Sequence, residues 1–160
     1  MASSSSSRIQ TKYDVFVSFR GTDVRHGFLS HLTKELHAKQ IDAYVDERLE
    51  SGEEISSALV TAIEGSMISL VIFSQHYASS RWCLEELVKI MECNKVNNQI
   101  VIPIFYNVDP THVRHQTDTY GDAFAKHEQK YDGMGKLQSW RSALNKAANL
   151  SGHHYPSNFK

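Results

Sequence analysis

Residues 13–19 read Tyr-Asp-Val-Phe-Val-Ser-Phe and set the fold class of the chain. Apolar residues fill the centre of this stretch at successive positions, which is typical of a strand covered by helices on both faces. Gly21 ends the stretch, and residues 22–39 follow with Asp23 available as a helix cap. Apolar side chains recur there at four-residue spacing, which predicts a helix: Val24, Phe28, Leu32, Leu36.

The rest of the chain repeats this alternation of strand and helix. Apolar runs predict further strands at 41–45, 69–73 and 99–108, and a short fifth strand near the end. Helical spacing predicts helices in four segments, at 51–65, 81–93, 120–127 and 137–147. Ser51 and Glu54 have the spacing of a capping box, whereas Asp109 and Pro110 indicate a turn. Pro103 is expected to remove a ladder hydrogen bond on one side of its strand.

Five alternations predict an α/β domain with a doubly wound parallel sheet, because each parallel crossover needs a connection of helix length. Right-handed crossovers and five strands favour the order 2-1-3-4-5, with helices on both faces. The chain then reverses direction between strands 1 and 3. A ligand crevice is expected where their carboxyl-end loops diverge, at residues 20–23 and 74–82.

Composition excludes several classes of function. Seventeen basic and eighteen acidic residues give a net charge of -1, which lacks the excess that nucleic-acid binding uses. The apolar runs at 70–73 and 100–106 are far shorter than the roughly 20 residues of a membrane-spanning helix. Cys83 and Cys93 lie ten positions apart in one predicted helix and indicate reduced thiols in a cytoplasmic or nuclear protein.

Trp82 and Glu86 are the side chains of the predicted crevice that the core does not explain. They lie one helical turn apart and, on an ideal helix, point away from the apolar stripe of Leu84, Leu87, Val88 and Met91. Two interpretations stay open at this point. Glu86 is either a catalytic carboxylate or a charge that complements the helix dipole, and Trp82 either contacts a ligand or packs under a loop.

Two other chemistries of this topology fit poorly. A phosphoacceptor receiver domain needs an aspartate at the end of strand 3, where this chain has Phe73 and Ser74. A flavodoxin needs small residues after strand 1 to hold phosphate, where this chain has Phe19 and Arg20 with a single glycine.

Three sequence blocks closely resemble the Toll/interleukin receptor (TIR) domains of plant immune receptors. They are YDVFVSFRG at 13–21, WCLEEL at 82–87 and IPIFYNVDP at 102–110. The resemblance covers residues 12–154 and implies the flavodoxin-like form of the five-stranded fold. We therefore expect a disordered serine-rich tail at 1–11, rather than a removable leader, and a C-terminal tail at 155–160.

The resemblance also implies a reaction, the cleavage of NAD between nicotinamide and ribose. The family's glutamate falls on Glu86 and not on Glu85. Cleavage of an N-glycosidic bond passes through an oxocarbenium-like state, which an anion stabilises, and nicotinamide leaves as a neutral molecule. One carboxylate is therefore sufficient. NAD is a substrate here, no further cofactor is implied, and the choice between NAD and NADP stays open.

The same resemblance implies the rest of the substrate site. Trp82 would stack on the substrate, Phe19, Ser80 and Asp46 would line the pocket, and Arg20 and Arg25 would contact phosphate. Some relatives carry a basic residue where this chain has Glu50, so no phosphate contact is expected from that position.

Self-association is a further implication of the resemblance. Ser30 and His31 match a Ser-His pair that packs against the same helix of another subunit, although His31 would otherwise be a solvent-facing histidine. The loop at 46–53 would join a second subunit, so activity would rise steeply with concentration. Homo-oligomers and other TIR-containing receptors are the expected partners, and cell death in plant immunity is the expected output.

A non-catalytic TIR scaffold is the alternative function, because the same surfaces would serve either role. Metal binding is not expected. His112 and His115 have helical spacing, and His153 adjoins His154, but neither pair is joined by a further set of ligands. Solvated loops are the simpler explanation of these histidines.

Overall fold

The computed structural model describes residues 13–24, 27–45, 56–131 and 135–155. Its centre is a five-stranded parallel sheet with the order β2-β1-β3-β4-β5, so the predicted order is confirmed. The strands are β1 Tyr13–Ser18, β2 Ala43–Val45, β3 Ser66–Phe73, β4 Ile100–Tyr106 and β5 His153–Tyr155.

Helices cover both faces of the sheet, as the alternation predicts. They are α1 Gly21–Val24, α2 Phe28–Ala38, α3 Ser57–Glu64, α4 Arg81–Asn97, α5 Pro110–His115, α6 Thr119–Tyr131 and α7 Lys136–Ala148. A short 3-10 turn, Tyr77–Ser79, connects β3 to α4.

Two apolar clusters fill the space on either side of the sheet. The larger cluster joins alternate residues of the central strands, such as Phe16, Val71 and Phe105, to the helices α3, α4, α6 and α7. The smaller cluster joins the intervening residues, such as Val17 and Ile72, to α1 and α2. This alternation explains why residues 13–19 are apolar at successive positions, since both faces of β1 are covered.

The helix predicted at 22–39 is wrong as a single element. The chain forms α1, which ends at Val24, and α2, which begins at Phe28 with Gly27 as its N-cap. Asp23 lies inside α1 and does not cap a helix. The apolar spacing continues on both sides of Gly27, which is why the sequence predicted one helix. Glycine has a low helix propensity, and the helix is interrupted there.

The segment predicted as a turn at Asp109 and Pro110 is the start of the helix α5. Asp109 is its N-cap, and the Asp109 carboxylate accepts a hydrogen bond from the Thr111 amide at 2.8 Å. That bond lowers the pKa of Asp109. His112 and His115 therefore lie in a helix, and not in a loop as expected.

The N-cap of α3 is Ser56. Its side chain accepts a hydrogen bond from the Leu59 amide at 3.2 Å. The capping box predicted at Ser51 and Glu54 falls outside the described residues. The predicted end of this helix at Gly65 is confirmed, because Gly65 is its C-cap.

Pro103 sits where β4 meets the edge strand β5. The ladder between β3 and β4 runs through Pro103, whereas the ladder between β4 and β5 begins one residue later, at Ile104 and His153. This register agrees with the expected loss of pairing on one side of the proline. The two histidines predicted to lie in a loop, His153 and His154, belong to β5.

Gly152 allows β5 to approach Pro103. A Cβ atom at Gly152 would lie 2.1 Å from the Pro103 carbonyl oxygen, a distance that requires the backbone to move. We expect Gly152→Ala to lower the free energy of unfolding by about 1–3 kcal/mol. Urea denaturation measures this loss, with Ser151→Ala as the control because Ser151 is exposed and the change adds no atoms. Equal stability of the two variants would contradict the prediction.

Candidate active site

The crevice lies at the carboxyl ends of β1 and β3, where the sheet order reverses. β1 ends at Ser18, whose register partner on β3 is Val71, and β3 ends two residues later at Phe73. The two strands continue into different loops, one leading to α1 and the other to α4. This geometry is the topological switch point at which open α/β sheets bind ligands.

Glu86 lies in the second turn of α4 and its side chain is buried at this crevice. The residue is 5% exposed, and its Oε1 accepts a hydrogen bond from the Ser18 hydroxyl at 2.9 Å. Ser80 caps the helix by accepting a bond from the Cys83 amide at 3.1 Å. Glu86 therefore lies one to two turns from the capped N-terminus of α4.

The expectation that Glu86 and Trp82 point away from the core is wrong. Glu86 is buried, and Trp82 is half-buried against the larger apolar cluster. The physical reason is that α4 contacts the sheet on one side and both α3 and α7 on others, so more than one stripe of the helix is covered. The buried positions are Cys83, Leu84, Glu86, Leu87, Ile90 and Cys93, whereas Val88 and Met91 are only partly buried.

Glu85 has a different environment from its neighbour. Its Oε2 lies 3.1 Å from Lys136 Nζ and 4.0 Å from Arg81 Nε. Lys136 begins α7, so this ion pair ties α4 to α7 at the protein surface. Two adjacent glutamates therefore face different surroundings, and only Glu86 contacts the end of β1.

Asp23 joins the two loops of the crevice, a role that the sequence analysis missed. Its Oδ2 accepts hydrogen bonds from the Ser74 hydroxyl at 2.5 Å and from the His76 amide at 2.9 Å. Its Oδ1 lies 4.0 Å from Arg20 Nη1. A carboxylate close behind a strand end is the sequence signal for this contact, although the same position also suits a helix cap.

Two buried tyrosines support the loop that follows β3. The Tyr120 hydroxyl donates to the Ser74 carbonyl at 2.8 Å, and the Tyr77 hydroxyl lies 2.8 Å from Ser18 Oγ. Burial raises the pKa of both tyrosines well above the ordinary value. Both phenols therefore keep their protons, and they act in this loop as neutral hydrogen-bonding groups.

A family model described as the TIR domain matches residues 12–158. The match spans the sheet, the crevice and Glu86. The chain belongs to the TIR domain family. The fold predicted from the resemblance is confirmed, because the sheet has the expected order β2-β1-β3-β4-β5.

The relatives of this TIR domain include plant disease resistance proteins. It is 55% identical over 154 residues to the TMV resistance protein N of Nicotiana glutinosa, covering 95% of this chain and 13% of that protein. It is 52% identical over 144 residues to the disease resistance protein RPV1 of Vitis rotundifolia, covering 90% of this chain and 10% of that protein. The chain thus spans about an eighth or less of the length of these relatives.

A solved structure with a similar fold is that of the TIR domains in the activated Roq1 resistosome, which directly recognises the pathogen effector XopQ. The TM-score is 0.84 at 48% sequence identity, and the alignment covers 89% of this chain and 87% of that one.

The predicted substrate residues of the TIR domain occupy different places. Arg20 is partly buried at the crevice, and its Nε has no hydrogen-bond partner among the described residues. The Phe19 ring packs in the smaller apolar cluster, and Ser80 is buried as the cap of α4. Arg25, Asp46 and the loop at 46–53 lie outside the described residues.

The predicted self-association pair lies away from the crevice. Ser30 and His31 are exposed on α2, which packs on the opposite face of the sheet from α4. His31 also lines a cavity of about 530 Å³, together with Phe28, Leu32, Glu35, Ile104 and His153. The crevice and this surface are thus separate parts of the domain.

Neither a metal site nor a membrane segment is found in the described part of the chain. Within residues 13–24, 27–45, 56–131 and 135–155, no group of three or more histidine, cysteine or acidic side chains is arranged to hold a metal ion. Among the described helices, none combines the length and the hydropathy that a bilayer crossing requires. Cys83 and Cys93 are both buried, and they do not form a disulfide bond.

Proposed function

We propose that this TIR domain is an NAD glycohydrolase that is activated by self-association. It takes NAD or NADP and releases nicotinamide together with ADP-ribose-type or cyclic nucleotides, which signal in plant innate immunity and cell death. The observation that carries the proposal is the position of Glu86, a buried carboxylate at the switch-point crevice of a TIR fold. The relatives named as disease resistance proteins support the immune setting.

The chemistry asks for one well-placed anion. The bond between ribose C1′ and the nicotinamide nitrogen breaks, and its electron pair neutralises the positive charge of the leaving ring. Positive charge develops on the ribose, where the Glu86 carboxylate stabilises it. Water then adds to C1′ and its proton passes to solvent, or a nucleophilic nitrogen or oxygen atom of the same molecule adds to C1′, releases any proton it carried to solvent and gives a cyclic product.

The charged groups of the crevice suit a dinucleotide. Arg20 is partly buried beside the loop that follows β3, and its ion pair with Asp23 is long, at 4.0 Å. Such a guanidinium can bind a phosphate oxygen without giving up a strong partner. Trp82 provides an aromatic surface for stacking, and Arg25 and Asp46 complete the proposed set with Phe19 and Ser80.

Self-association would proceed through the exposed face of α2 that carries Ser30 and His31. The similarity to the Roq1 TIR domains, which were solved within a resistosome, supports assembly of this domain with copies of itself. Other TIR-containing receptors are further proposed partners. The cytoplasm or nucleus is the proposed location, because Cys83 and Cys93 do not form a disulfide bond.

A non-catalytic scaffold is the second candidate function. The exposed Ser30 and His31 face is the observation that favours it, because a surface that recruits other TIR domains needs no crevice chemistry. Both candidates predict self-association, and only the first predicts turnover.

Nicotinamide release at increasing protein concentration tests the proposal. We expect the rate per molecule to rise with concentration, because an active site completed between subunits forms only in the oligomer. His31→Ala should need more than about fivefold higher concentration for half of the maximal rate, the effect of losing an interface contact worth more than about 1 kcal/mol.

His37→Ala is the control, because it removes an exposed histidine from the same helix at a position outside the Ser-His pair. It should behave as the wild type does. Oligomers that form without nicotinamide release at any concentration would contradict the enzyme and favour the scaffold.

A further inference from the structure

A chain of two buried hydroxyl groups ends on Glu86. The Ser18 hydroxyl lies 2.9 Å from Glu86 Oε1 and 2.8 Å from the Tyr77 hydroxyl. Ser18 and Tyr77 are both fully buried, at 0% exposed. The three side chains come from β1, from the 3-10 turn after β3 and from α4, so the hydrogen bonds connect β1 to the turn and the helix that follow β3.

The direction of these hydrogen bonds follows from the number of protons. The Ser18 hydroxyl is the donor in its bond to Glu86 Oε1, so its single proton is used there. The contact between Ser18 and Tyr77 then requires the Tyr77 proton. Burial, with Cys83 and Glu86 nearby, raises the pKa of Tyr77, so this proton is retained. The Tyr77 hydroxyl also donates to the Cys83 carbonyl at 3.2 Å, so its proton is shared between this carbonyl and the closer Ser18 oxygen.

This arrangement matters because Glu86 is removed from water. Burial disfavours the charged form of a carboxylate, whereas a hydrogen bond donated to the charged form favours it. Because Ser18 sits on a central strand and Tyr77 on a buried turn, neither donor can follow the carboxylate if it moves. The chain therefore fixes both the charge and the orientation of the Glu86 side chain.

We propose that Ser18 and Tyr77 are positioning residues that hold the Glu86 carboxylate ionised and in one orientation for cleavage of the nicotinamide–ribose bond. This inference rests on the proposed function. Ser18 acts directly on the carboxylate, and Tyr77 acts through Ser18. Neither residue is assigned contact with the substrate.

Ser18→Ala tests the inference, because it removes one oxygen atom and leaves the backbone ladder of β1 in place. We expect kcat to fall by about 10- to 100-fold, which is the usual cost of misplacing a catalytic group. KM for NAD should change by less than about twofold, because Ser18 does not bind substrate. Tyr77→Phe should lower kcat less, since Ser18 still donates to Glu86.

The pH dependence of kcat separates positioning from a merely structural role. Protonation of Glu86 abolishes the negative charge that the reaction needs, so activity falls on the acidic side. Without the Ser18 donor, this acidic limb should move to higher pH by about one unit, as expected for the loss of a hydrogen bond to a charged group. Ser18→Cys, whose thiol is a weaker donor, should lie between Ser18→Ala and the wild type.

Ser66→Ala is the matched control. Ser66 is also a buried strand serine, but its hydroxyl donates to the Ala62 carbonyl at 2.8 Å, at the other end of the sheet. This variant should keep the wild-type kcat and pH profile.

The outcomes are distinguishable. A wild-type protein without turnover contradicts the proposed function and the positioning role with it. Wild-type turnover with a Ser18→Ala variant that matches Ser66→Ala, or that loses kcat without a shift of the acidic limb, contradicts the positioning role alone. A lower kcat with the expected shift supports it.

Discussion

Glu86→Gln is expected to lower the rate of nicotinamide release by at least about 100-fold, the usual cost of removing a preorganised electrostatic group. Glutamine keeps the shape of the side chain and an oxygen that can accept the Ser18 hydrogen bond, but it carries no charge to oppose the developing cation. Initial rates of nicotinamide release, measured by chromatography at a protein concentration that supports assembly, give the comparison.

Glu85→Gln is the matched control for this substitution. The same chemical change is made one position earlier, at a side chain that pairs with Lys136 and Arg81 at the surface. Glutamine can still accept a hydrogen bond from Lys136, so the rate of release should stay near that of the wild type. Equal loss in both variants, or loss in neither, would contradict the assignment of Glu86.

The strand order and the place of the crevice could be predicted because they depend on regular features of the sequence. Residues 13–19 are apolar at successive positions, which predicts that helices cover both faces of β1. The alternation of strand and helix then restricts the topology. The crevice follows from that topology. Glu86 was then selected by the WCLEEL block, since spacing alone left its role open.

The orientation of the α4 side chains could not be predicted from a single apolar stripe. A helix that packs against the sheet and against two other helices buries more positions than the stripe includes, and Glu86 is one of them. The sequence did not predict the helix α5, because six residues are too few to show an apolar periodicity. The sequence Asp-Pro therefore indicated only a turn.

The hydrogen bonds of the site were beyond sequence reasoning because their partners are distant in the chain. Ser18 lies 59 residues from Tyr77 and 68 residues from Glu86, and Asp23 lies 51 residues from Ser74. No local pattern marks a buried serine as the donor to a particular carboxylate. Only the strand register and the loop geometry bring these groups together.

Trp140→Ala is expected to lower the free energy of unfolding by about 3–5 kcal/mol, the usual cost of truncating a buried tryptophan. Trp140 is 1% exposed on α7, and its ring packs edge-on against His127 and Tyr131, with centroids 5.1 and 5.6 Å away. Removing the ring leaves a cavity between α6 and α7. Urea denaturation measures the loss, and Trp140→Phe, which keeps an aromatic ring, should lose less.

The decrease in unfolding free energy caused by Trp140→Ala should depend on pH, because the Trp140 ring also covers His127. Its pH dependence gives a second test of how Trp140 packs. Burial lowers the pKa of His127, and its Nε2 donates to the Ala78 carbonyl at 2.8 Å, beside the turn that carries Tyr77. The pKa of His127 is lower in the folded state than in the unfolded state. The contribution of neutral His127 to the free energy of unfolding is therefore complete above about pH 6.5 and is lost as the pH falls through the folded pKa.

Without the Trp140 ring, water reaches His127 and its pKa returns toward the ordinary value, so the variant loses less stability in acid. The difference in unfolding free energy between wild type and Trp140→Ala should therefore narrow between about pH 7.5 and pH 5. A difference that is independent of pH would show that Trp140 does not keep His127 from water.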